Sequence, residues 1–313
     1  MRNYAETYLQ PLAAGLLALV TLIGLIGPAI KSPSPHDIPI GIVEGSTQTA
    51  FAANGPFSVT FYDSEHAARQ AIDSRDIDGA LVLGPGGPKL IVAGAAGDAV
   101  TGVITGAFTQ LFQKQGQTLE VEVVHPFASG DPHGLILFFV VLAVLVSTLI
   151  ANALAGLRRE AGFASRLLIV LLFAVVSAPV AMGVATWIAG DYGSGFWTAT
   201  ALVALGSAAV GAAVAGAARL LGRPGVALAA LIAVLLDLVC SGGPIGSQLL
   251  PDAYRALAPG MPAGQLYSAM RGALYFDGAG VTDPITVLVL WVAGGIVLLL
   301  LGEVVARRRA AHG

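Results

Sequence analysis

Asp237, in the run LLDLVCSGG, is the one acid set well inside a long apolar segment of this 313-residue chain. At 1.5 Å per helical residue it lies about 20 Å from the segment's arginine-flanked end. An ionisable group at such depth costs at least about 2.5 kcal/mol on insertion scales. Two readings are open: a pathway or gating acid facing a wet cavity, or a partly hydrated acid capping broken backbone at Ser241 to Gly243. His125, Asp131 and His133 fall within the nine residues HPFASGDPH, and His with Asp could ligate zinc. With no further ligand evident, the stretch reads instead as a Pro- and Gly-built loop. DSRDIDG at 73–79 resembles a calcium loop, but its first acidic position is Ser74 and its closing glutamate position is Pro85, so it reads as a solvated helix end. IGPAIKS lacks the glycines of a phosphate-binding loop, and no G-x-S-x-G or H-E-x-x-H occurs. One acid at depth is not a catalytic pair. The expectation is a protein that is not an enzyme, with no cofactor, no nucleotide site and no metal.

The elements that hold these residues follow from composition. Hydrophobic residues make up 56% of the chain and charged residues 11%, with a mean hydropathy of +0.79, against about 25% charged in a soluble domain. This is the composition of an integral membrane protein. A net charge of -3 offers no basic field to nucleic acid. The single cysteine, Cys240, excludes an intramolecular disulfide and reads as a packed core residue. Abundant Ala and Gly, with Arg exceeding Lys, fit a GC-rich bacterial genome.

About 20 apolar residues cross a bilayer, and such runs lie near 9–30, 135–157, 167–189, 196–218, 225–241 and 283–306, predicting six spans. The first is longer than a signal-peptide core and lacks an A-x-A site, so it reads as uncleaved. Arg2, then Arg158, Arg159 and Arg166, then Arg219 and Arg223, then Arg307, Arg308 and Arg309 fall on one side, which the positive-inside tendency makes cytoplasmic. Both termini are then cytoplasmic, in a multi-pass protein of the bacterial cell membrane. Span four carries Ser207, Gly211 and Ala215 at four-residue spacing, which suits either a dimer seam or packing inside one bundle. Asn152 reads as an interhelical hydrogen-bonding amide.

The predicted organisation is an N-terminus and first span (1–32), an extracytoplasmic α/β domain (33–133), and a five-helix transmembrane domain (134–313) with a re-entrant segment at 242–280. In the outer domain, β-branched and aromatic runs predict strands at 38–43, 57–63, 79–84, 89–94 and 119–125. GPGGP at 84–88 is a hairpin turn. Two intervening helices would bury Ala67, Ala71 and Ile72, then Val103, Phe108, Leu111 and Phe112.

LLPDAYRALAPGMPAGQLYSAMRGALYF, residues 249–276, interrupts the apolar pattern with prolines and two arginines. It predicts two short helices that dip into the outer leaflet, with Pro251 and Pro262 in their first turns. Tyr267, Met270 and Leu274 would share one face, with the Tyr rings at headgroup level. A fifth span ending in SGGP, then Leu250, Pro251, Tyr254, Arg255, Leu257, Pro259, Pro262 and Arg271, then YFDG before the last span, resembles the ABC-2 type permeases. The layout is similar to the branch with a large extracytoplasmic domain after the first span, which includes the phage infection protein family; RDIDGALVLG is similar to a segment of that domain. The resemblance spans nearly the whole chain in topology and about 40 residues in motif.

It implies a permease subunit of an exporter that moves an amphiphilic small molecule, lipid or glycan precursor outward. Implied partners are a separate cytoplasmic ATP-binding-cassette ATPase and a second copy or related chain completing a dimer. The docking candidates are Arg158, Arg159, Glu160 and Arg166 in LRREAGFASR. Gate or path candidates are Asp237, Pro244, Pro251, Tyr254, Arg255, Pro259, Pro262, Arg271, Tyr275 and Phe276. The alternative is a membrane-anchored receptor, scaffold or secretion accessory whose outer domain binds a partner.

Overall fold

The computed structural model describes residues 9–31, 34–43, 55–156 and 162–311. A first helix, α1 (Gln10–Lys31), leads to a five-stranded sheet built from β1 (Ile38–Val43), β2 (Phe57–Tyr62), β3 (Gly79–Gly84), β4 (Gly87–Ala93) and β5 (Glu120–Val124), in the order β2-β1-β3-β4-β5. The β3–β4 pair is antiparallel and turns at Pro85 and Gly86, while β1 runs parallel to both its neighbours and β4 parallel to β5. Helix α2 (Glu65–Asp73) joins β2 to β3, and α3 (Asp98–Lys114) joins β4 to β5. Ser64 caps α2 by accepting from the Ala67 N–H at 3.2 Å.

Alternation along the strands sends side chains to both faces. Ala80, Ile91 and Ala93 pack with Ala68, Ala71 and Ile72 of α2, whereas Leu81, Leu90 and Val92 pack with Val100, Ile104 and Phe108 of α3. The domain is therefore a three-layer α/β/α sandwich. The predicted α2 face is shifted at its start, since Ala68 is buried where Ala67 is half-buried. On α3, Val103 and Leu111 are only half-buried, and Val100 and Ile104 take the innermost places. Each core also receives a residue from the 242–280 segment: Phe276 on the α2 side and Leu249 on the α3 side.

Among the described residues, five helices are long and apolar enough to cross a membrane: α4 (Leu135–Gly156), α5 (Phe163–Ala189), α6 (Phe196–Leu221), α7 (Arg223–Cys240) and α10 (Thr282–Ala311). Between α7 and α10 lie two shorter helices, α8 (Asp252–Leu257) and α9 (Pro262–Tyr275). Helix α1 has 22 residues with its most apolar stretch at Gly15–Ala29; it touches the end of α7, and its Leu12, Leu17, Val20 and Ile23 are exposed. Helix α6 is the axis of the bundle, packed by α4, α5, α7, α9 and α10. The outer helices turn apolar side chains outward, with Trp187 84% exposed, an arrangement that lipid and not water would cover.

Ser207, Gly211 and Ala215 are buried within this one chain, so the small-residue stripe serves packing inside the bundle. Ser207 shares a 2.8 Å hydrogen bond with Thr148 of α4. Gly216 and Gly295 bring α6 and α10 so close that a Cβ on either would collide with the other helix's backbone. Asn152 donates to the Thr148 carbonyl one turn back at 3.0 Å, so its amide bonds within α4.

Candidate functional site: a cavity beneath the α/β domain

Helix α7 does not stay α-helical along its length. Leu231–Leu236 forms a π-helical stretch, followed by one α-helical turn, Asp237–Cys240, and then by irregular chain. A π stretch inserts extra residues per turn, is rare, and occurs often at functional sites. Here it leads into the turn whose Asp237 carboxyl faces the start of α9, where both oxygens accept from the Ala263 N–H at 2.8 Å. The Asp237 side chain is fully buried and supplies an acceptor to the N-terminal end of that helix. Asp237 thus caps α9, a different piece of backbone from the Ser241 to Gly243 break; that break is closed by Ser241 itself, whose hydroxyl accepts from the Gly243 N–H. Asp131 does the same for α4, accepting from Ile136 and Leu137 N–H at 3.0 and 3.3 Å.

Gly242, at φ 73°, reverses the chain after α7, and α8 and α9 fold back against the end of the bundle. Pro251 is the N-cap of α8 and Pro262 the first residue of α9, the positions where a missing N–H costs nothing. Tyr267 and Met270 are buried and Leu274 half-buried, so this face of α9 packs into the bundle. The Tyr267 ring therefore faces the protein interior and not lipid, because α9 runs between α6, α4 and α10.

Between this folded-back segment, the end of α7 and the underside of the sheet lies a cavity of about 440 Å³. Its wall includes Arg75 and Asp78 from the α/β domain, Ser241 after α7, Gln248 before α8, and Ser268 and Arg271 from α9. Arg75 Nη1 donates to the Ser268 and Ala279 carbonyls at 3.1 and 3.3 Å, and Nη2 to the Ser268 hydroxyl at 3.0 Å. Its guanidinium lies 5.3 Å from the Phe276 ring centre, and that of Arg271 lies 5.2 Å from the Tyr267 ring centre. Arg271 Nη1 donates to the Ala96 carbonyl, while its Nε is buried without a partner. Asp78 accepts from Gln248 Nε2 at 3.3 Å.

Burial, then the neighbouring Arg271 charge, pulls the Arg75 pKa down to about 10. Burial pushes that of Asp78 up to about 6, against the pull of Arg271 and Arg75.

Of the sequence candidates, Arg255, Pro259, Arg271 and Phe276 line this cavity. Arg255 is paired with Asp37 at 2.7 Å and with Asp252 at 3.3 Å. Asp237, Pro251, Tyr254, Pro262 and Tyr275 lie around it without lining it; Tyr254 donates its hydroxyl to the Leu25 carbonyl of α1 at 2.8 Å, and the Tyr275 carbonyl meets His125 Nδ1 at 2.7 Å. Pro244 sits in the 3-10 turn Gly243–Ile245. His125 is taken up by Asp73, Asp131 by its helix and His133 by Asp98, so the three do not converge on a metal position. Arg158, Arg159 and Glu160 lie outside the described residues. Arg166 is buried against the bundle within reach of the charges of Arg219 and Glu303, which pair with each other at 2.8 Å.

Sequence reasoning missed Arg75 and Asp78. Both sit in DSRDIDG, which reads as a solvated helix end, yet Arg75 holds a positive φ of 65° and reaches into the segment before the last span. The buried Ile77 between them was the only local sign that this loop turns inward. No protein-family model, no curated protein and no solved structure matches this chain.

Proposed function

We propose that the chain is the permease subunit of an ABC-2-like exporter, a non-enzymatic membrane component driven by a separate cytoplasmic ATPase and working as a dimer. In this reading α1 joins the five long apolar helices as a sixth span, both termini are cytoplasmic, and the α/β domain stands outside a bacterial cell membrane. The observation that carries it is the cavity, enclosed by the broken end of α7, the folded-back α8–α9 segment and the sheet. A bundle that only anchored a receptor would need neither the π stretch nor an irregular segment held at its end.

The scaffold alternative is less economical, because the outer domain does not hang free. It shares its cores with Phe276 and Leu249 and bonds to α9 through Arg75. The test is purification of the full chain from native membranes, followed by ATP turnover and efflux measurements in vesicles. An ATPase that co-purifies, and whose turnover is lost on changing Arg158 and Arg159, supports the reading. A chain that purifies alone and supports no ATP-dependent efflux overturns it.

A further inference from the structure

Arg75 and Arg271 are each stacked on an aromatic ring, and each donates to backbone carbonyls. Among the described residues, neither has a carboxylate within salt-bridge distance. Two guanidiniums facing one half-buried cavity without carboxylate partners are costly, because each repels the other and both are partly withdrawn from water. Asp78, the nearest anion on the wall, is bonded to Gln248 and can balance only one of them. Arg255 pairs with Asp37 on the wall and with the exposed Asp252, which does not line the cavity. The lining then carries three arginines against two aspartates, a surplus of one positive charge that falls on the Arg75 and Arg271 side, with the Arg271 Nε donor unused and the Ser268 and Gln265 side chains on the same wall.

We infer that this cavity binds a phosphate-class oxyanion, with Arg271 and Arg75 as its counter-charges and the Ser268 and Gln265 side chains as neutral donors. Guanidinium groups meet such oxyanions through paired, charge-assisted hydrogen bonds, and stacking on an aromatic ring fixes the plane from which they donate. A volume of about 440 Å³ is that of a site for a small molecule or a headgroup and leaves no room for acyl chains as well. The inference rests on the permease reading only in making this oxyanion part of the cargo; the binding itself needs no ATPase.

The experiment is equilibrium binding of fluorescent-tailed phosphatidylglycerol, and of the phosphate-free diacylglycerol with the same tails, to the purified full chain in neutral detergent, with inorganic phosphate as a soluble competitor. Phosphatidylglycerol should bind roughly tenfold or more tightly than diacylglycerol. Arg271→Gln should remove that preference in a chain that still unfolds in a single cooperative transition. Asp78→Asn, which deletes the competing negative charge, should tighten phosphatidylglycerol binding, and it serves as an independent reading if the arginine variant does not fold. Displacement of the lipid by inorganic phosphate identifies the free oxyanion as sufficient, and resistance to displacement identifies a headgroup held also by its chains; both support the site. Equal binding of the two lipids overturns it, as does a folded Arg271→Gln chain with wild-type preference, or an Asp78→Asn chain that binds phosphatidylglycerol no more tightly. Charge-selective binding without ATP-dependent efflux would keep the oxyanion site and remove the permease reading. Efflux indifferent to cargo charge would do the reverse.

Discussion

At the scale of single residues, Asp131 and Asp237 show how an apolar bundle tolerates a buried carboxylate. Each faces the free N–H groups at the start of a helix, where the backbone supplies the partial positive charge that water would otherwise provide. Asp237→Ala leaves the Ala263 N–H buried without an acceptor and is expected to cost about 1–3 kcal/mol. Thermal unfolding in detergent measures this, and Asp237→Asn, which keeps one acceptor oxygen, should recover part of the loss. Asp78 lies outside the bundle, at the wall of the cavity, and its environment favours the proton. Its folded pKa is raised to about 6, whereas an unfolded Asp titrates near about 3.9. Between those values the folded state binds more protons, so stability falls as pH rises through this window and the loss is complete above the folded pKa. Melting temperatures from pH 4 to 7 should therefore decline less steeply in Asp78→Asn than in the unaltered chain. The identity of Asp237 as a special residue was legible from depth alone. Its partner was not, because nothing in LLDLVCSGG specifies which of several nearby helix starts the carboxylate will meet.

At the scale of elements, the π stretch Leu231–Leu236 leads directly into the turn that carries Asp237. The six residues of the π stretch turn the chain about as far as five in α geometry, so deleting Leu235 should let the helix relax to α form with Asp237 still facing α9. The loss from Asp237→Ala should then persist in the deletion background, and the changes in denaturation midpoint should add; a loss that vanishes there would show that the π stretch itself holds the carboxyl in place. The strands, both helices of the α/β domain and the hairpin were readable because β-branched runs, a Gly-Pro turn and 3.6-residue spacing are local signals. The burial of DSRDIDG was not readable. Its inward turn depends on the α8–α9 segment, nearly 200 residues further along the chain, which offers Ser268 and Ala279 to Arg75.

At the scale of the whole molecule, five long apolar helices were visible as runs of hydropathy, and their packing order was not. Helix α6 takes the centre because its Gly, Ala and Ser side chains let four or more neighbours approach, a property of size that a hydropathy sum does not see. The proposed topology can be tested with the chain's own buried Cys240 as a silent background. A cysteine at exposed Ala256 should react with a membrane-impermeant maleimide added to intact cells. One at exposed Gly162 should react only after the membrane is opened. The reverse pattern would invert the orientation and place the cavity on the cytoplasmic side.

Phe276 and Leu249 belong to the membrane half of the chain yet complete the two cores of the α/β domain. A module that borrows from its neighbour in this way is not detachable: cut out, it would show a hole on each side of its sheet. The same borrowing makes it a lever. Any tilt of the sheet must drag the chain before the last span with it, so a force applied to the sheet, by an antibody fragment or a clasping peptide, would be felt as a change in the shape of the cavity beneath.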